Sequence, residues 1–151
     1  MLMVTMYHNM RTWFSPYRDG QVLAATTSHR FTPPVGWDAD AVAEWAFDAC
    51  NADLHDLETR RTTPEGEAAF LAGCVYRLLG FRSLSTGDVV HIEYDPASSD
   101  GTGSTWLACD PFGWRPISAP SNRTGEPLTA AKVYQHLTSQ RTGTAATPSR
   151  V

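Results

Sequence analysis

The stretch from Leu79 to Ile117 constrains the fold of this chain more than any other. Ser85-Thr86-Gly87-Asp88 reads as a turn leading into a strand. Val89 to Tyr94 then alternates: Val90, Ile92 and Tyr94 share one face, and Val89, His91 and Glu93 the other. A period of two is the mark of a strand. Asp95 to Ser104 is a Pro/Ser/Gly segment expected to be a mobile loop, and Thr105 to Asp110 is the return strand. Pro111-Phe112-Gly113-Trp114 closes the unit as an aromatic turn. The whole predicts a β-hairpin.

The remaining elements follow from the same rules. Leu2 to His8 alternates as a strand, and Gln21 to Thr27 is a second, weaker one after the Asp19-Gly20 turn. Asp38 or Asp40 can cap a helix running to Cys50, with Val42, Trp45, Ala46, Ala49 and Cys50 on one face. Asn51 to Thr62 is polar and reads as a surface loop with at most a short turn. Thr63 caps a further helix, Pro64 suits its first position, and Gly80 closes it. Its expected core face is the pair of rows Phe70, Cys74, Leu78 and Leu71, Val75, Leu79. A short helix over 129–137 places Val133 and Leu137 together. Residues 138–151 are rich in Thr, Ser and Gly and are expected to be a disordered tail. The order predicts an α+β fold: one domain over 1–137, with antiparallel hairpins packed on two to three helices.

Composition enters where it excludes functions. A chain of 151 residues with 42% hydrophobic content can bury a core without staples. The net charge is −4, and phosphate neutralisation by Lys and Arg dominates most affinity for nucleic acid. A generic duplex binder is therefore disfavoured, though a nucleic-acid partner stays open. The cysteines, Cys50, Cys74 and Cys109, are odd in number and widely spaced, which fits reduced thiols in a cytoplasm. No run is long enough to span a membrane, and Met1 to Met10 lacks the basic leader of a signal peptide.

Patterns that carry chemistry are sparse. His8, His29, His55, His91 and His136 are scattered without ligand spacing, so no metal is expected. Gly101-Thr102-Gly103-Ser104 lacks the Lys and helix of a phosphate loop, and no cofactor is expected. Cys109 and His91 on neighbouring strands leave a nucleophile pair geometrically possible, against the plainer reading of Cys109 as a small core hydrophobe. Carboxylate pairs such as Asp38/Asp40 and Glu65/Glu67 sit at helix starts, where capping explains them. What stands out is the turn itself. Phe112, Trp114 and Arg115, with Arg82 near in sequence, are residue types that stack bases or anchor protein interfaces.

Arg82-Ser83-Leu84-Ser85-Thr86-Gly87-Asp88-Val89-Val90, followed by Cys109-Asp110-Pro111-Phe112-Gly113-Trp114, resembles the YodL-like domain. That family carries a leu-ser-val-(gly/ser)-asp-val-val phrase and a phe-gly-(phe/trp) ending; Thr86 here stands where the phrase has valine. The same residues resemble small proteins of actinobacterial plasmids, integrative elements and phages. The resemblance covers about 40 residues. It implies an accessory role on mobile elements and no established catalysis. The expectation is a non-catalytic protein that binds a macromolecule, most directly a protein, through Phe112, Trp114, Arg115 and Arg82. A homodimer, a nucleic-acid-binding regulator and a Cys109-dependent enzyme stay open as alternatives.

Overall fold

The computed structural model describes residues 1–11, 14–95, 103–133 and 135. It has an α+β fold built on one sheet. In chain order the elements are β1 (Leu2–Asn9), β2 (Leu23–Phe31), α1 (Ala39–Asn51), α2 (Leu54–Thr59), α3 (Pro64–Leu78), β3 (Val89–Tyr94), β4 (Ser104–Asp110), β5 (Gly113–Ile117), β6 (Arg123–Thr124) and β7 (Leu128–Thr129). A helical turn begins at Ala130. The helices start where capping chemistry allows. Asp38 accepts from Ala41 N–H, and Thr63 accepts from Gly66 N–H with Pro64 just inside.

The strand order is β5-β4-β3-β1-β2-β6, with β7 also on β2. The hairpin expected between Val89 and Asp110 is present, with His91 opposite Trp106 and Val89 opposite Ala108. β1 is central, antiparallel to both β2 and β3, while β6 and β7 run parallel to β2.

Alternation divides the sheet into two apolar faces. Val4, Met6, Val90, Ile92 and Leu107 point to the helices and pack with Val42, Trp45, Ala46 and Ala49 of α1 and Ala72 and Tyr76 of α3. Tyr7, Leu23, Val89, Trp106 and Ala108 form a second cluster with Tyr17 on the other face. The sheet curls around this second cluster. β4 and β6 are four strands apart in the order, a separation of about 19 Å in a flat sheet. Yet the Arg123 guanidinium lies 5.0 Å from the centre of the Trp106 ring.

The structure corrects five expectations. The second strand begins at Leu23 and runs to Phe31, because pairing with β1 continues past Thr27. The polar stretch 51–62 contains α2, capped by Asp53 and buried through Leu57. The aromatic turn continues as strand β5, paired with β4 from Gly113 to Ile117. Thr129 belongs to β7, and Leu137 and the 138–151 tail lie outside the described residues, as does most of the 95–104 loop.

The largest correction concerns α3. Its buried residues are Gly66, Ala69, Ala72, Gly73 and Tyr76, whereas Leu71 and Leu78 are 51% and 61% exposed. Small residues face inward because the backbone of α3 lies close against its neighbours. A Cβ at Gly73 would come within 2.8 Å of both the Ala49 carbonyl oxygen and Leu57 Cδ1.

Candidate functional site

The aromatic turn is a tight connection between β4 and β5. Gly113 has φ 135°, a conformation that L side chains rarely adopt, so the chain can reverse there. The reversal lifts Phe112 wholly clear of the surface, at 103% exposure. Trp114, opposite Cys109 in the β4–β5 ladder, turns back toward α1. Its indole Nε1 donates to Glu44 Oε1 at 2.7 Å, and its ring meets Phe47 edge-on at 6.4 Å. Trp114 is half-buried against the main core, so it is both structural and accessible.

A groove of about 330 Å³ opens here between α1 and the hairpin. Trp114, Phe47, Pro111 and Phe14 supply its apolar walls, and Glu44, Ser85 and Thr86 its polar groups. Phe14 is 77% exposed and has φ 63°, a left-handed conformation uncommon for a bulky residue. Along α1, Asp40, Glu44 and Asp48 recur every four residues and are all exposed, so an acidic ridge borders the groove.

The candidate arginines are both engaged. Arg115 Nε donates to Asp110 Oδ2 at 2.9 Å, and its second nitrogen donates to the Tyr17 carbonyl at 2.8 Å. Arg82 grips Asp88 through two nitrogens, at 2.7 and 2.9 Å, and does not line the groove. The structure thus brings Phe112 and Trp114 to one hairpin and sets Arg82 to work inside the fold. Sequence reasoning missed Glu44, Phe47 and Phe14 as neighbours of Trp114. Phe14 precedes the turn by nearly a hundred residues, and nothing local ties the two together.

The possible nucleophile pair does not form. His91 stacks on Trp106, ring centres 3.7 Å apart, within the second cluster's face. Cys109 alternates with Trp106 and Ala108 along β4 and so points to the helix side. Burial pushes the Cys109 thiol up to about 11, with Asp88, Glu44 and Asp110 adding to the effect. A thiol so placed stays protonated near neutrality and is a poor nucleophile. All three cysteines are free. Among the described residues no group of three or more His, Cys, Asp or Glu is placed to hold a metal, and no helix is long and apolar enough to cross a membrane. Comparison with family models, with curated proteins and with solved structures finds no match to this chain.

Proposed function

We propose that this chain is a non-catalytic accessory protein that docks a protein partner on the groove between α1 and the β4–β5 hairpin. The observation that carries the reading is Phe112, fully exposed on a turn stiffened by Pro111 and Pro116 and set beside Trp114. Exposed aromatics on rigid backbone lose little entropy on docking and are enriched at interface hot spots. The acidic ridge of Asp40, Glu44 and Asp48 complements a partner with basic residues around an apolar anchor. The same charges weigh against phosphate, since Arg82 and Arg115 are already paired to carboxylates. The resemblance to the YodL-like domain supports a setting on a phage, plasmid or integrative element, and the three free thiols suit the cytoplasm.

The test is a pull-down from source-cell lysate treated with nuclease, with wild-type, Phe112→Ala and Phe14→Ala baits. Both side chains are exposed, so the variants should melt with the wild type. The expected result is a protein retained after nuclease whose capture falls roughly 30-fold in Phe112→Ala, the size of a ~2 kcal/mol hot spot. Loss of all capture after nuclease would favour the nucleic-acid reading. Undiminished capture by both variants would place the interface elsewhere.

A further inference from the structure

On the other side of the Glu44 ridge lies a larger cleft of about 820 Å³, between α1 and the residues leading into α3. That volume is in the range of small-molecule sites. Trp45 forms its floor, locked by two contacts. Its Nε1 donates to the Glu65 carbonyl at 2.9 Å, and Phe31 stacks beneath it with ring centres 4.1 Å apart and planes 13° from parallel. Trp37 is a half-buried wall, and Ala41 and Ala69 leave the space open by being small.

The rim of the cleft is predominantly acidic. Glu44, Asp48 and Glu65 line the cleft against a single guanidinium, Arg60. Arg60 reaches Asp48 at 3.6 Å, with both side chains about half exposed, 50% and 53%. Such a pair is worth little and yields readily to a competing cation. The start of α3 is already capped by Thr63, which lessens its pull on anions. Indole rings attract cations placed over them, and more strongly as water is excluded.

We infer that this cleft binds a small organic cation, its apolar body on Trp37 and Trp45 and its charge toward Asp48 and Glu65. The cleft shares Glu44 and Asp48 with the acidic ridge of the proposed docking groove but none of the groove's aromatic residues, and a direct titration with small probes needs no protein partner. The variants used leave Phe112, Phe14 and the β4–β5 hairpin untouched, so failure here and failure of the docking reading are distinguishable.

Three probes of one shape and different charge decide the matter: benzamidinium, benzamide and benzoate. Each is titrated into the full chain while the indole N–H resonances of Trp37 and Trp45 are followed by NMR. Benzamidinium should shift both saturably, with benzamide roughly tenfold weaker and benzoate weaker again. The Asp48→Asn/Glu65→Gln double variant should bring benzamidinium down to the benzamide level. Ala41→Met, which fills the cleft and keeps every carboxylate, should abolish binding and serves if the double variant is unstable. Equal affinity for benzamide or benzoate, no saturable shift at either indole, or full binding by Ala41→Met would overturn the inference.

Discussion

Asp88 shows how one buried charge can organise a turn. It is 1% exposed, and its carboxylate accepts from Asn9 N–H, from Ser85 N–H and from both terminal nitrogens of Arg82. A carboxylate removed from water is tolerated only when its lone pairs are met in this way. The arrangement ties the 82–88 turn to the end of β1, and so sets the entry of β3. Tyr76 adds to it: its hydroxyl donates to the Arg82 carbonyl at 2.6 Å and is bonded by His8 Nε2. Asp88→Ala would remove the acceptor that Arg82 and two amides share. The expected cost is about 2–4 kcal/mol in urea unfolding, from the acceptor lost to the amides, since Arg82, its side chain 32% exposed, can turn to water. A loss within about 0.5 kcal/mol, ordinary for surface positions, would mean the turn is held by something else. Arg82→Ala should destabilise too, which makes it a poor probe of binding.

At the scale of elements, α3 separates what a pattern records from what packing requires. Leu78→Ala, at a position 61% exposed, should change stability by no more than about 0.5 kcal/mol. Gly73→Ala should destabilise by about 1–3 kcal/mol through overpacking against Ala49 and Leu57. Intrinsic propensity alone would favour that Ala by about 1 kcal/mol. Parallel thermal melts decide it; a stabilised Gly73→Ala would refute the close approach. The caps of α3 were legible in Thr63, Pro64 and Gly80. Its inward face was not, because apolar volume points to Leu71 and Leu78 while close helix packing selected Ala69, Ala72 and Gly73. On α1 the two criteria agree, and Val42, Trp45, Ala46, Ala49 and Cys50 are all buried as their spacing implied. α2 escaped notice because six residues burying only Leu57 make no periodic signal. The site divides similarly. Its hairpin could be read locally, but the Trp114–Glu44 bond spans seventy positions, and no pattern of residue types encodes a contact that long.

Across the whole molecule, both faces of the sheet bury histidines, His29 opposite Val4 on the helix side and His91 against Trp106 on the other. His29 on β2 and His91 on β3 are both buried, and each is held down to about 4 from an ordinary 6.5. Burial is the main cause for both, and Arg123, reaching across the curl, adds to it at His91. Burial lowers His8 in the same direction. Neutral imidazole is thus favoured in the folded state, while the unfolded chain takes up protons from about pH 6.5. Between those values the unfolded state binds more protons, so stability rises with pH through the window. It is fully present above about 6.5 and is lost as pH falls toward 4. By pH 5, where most carboxylates are still ionised, His29 and His91 should each remove about 1–2 kcal/mol. Urea unfolding at several pH values from 7.5 to 5 measures the slope. His91→Phe supplies the control, since a phenyl ring can keep the stack on Trp106 without titrating. That variant should lose roughly one proton's worth of slope. A His91→Phe slope equal to that of the wild type would show that His91 is solvated, and that the sheet does not close over it.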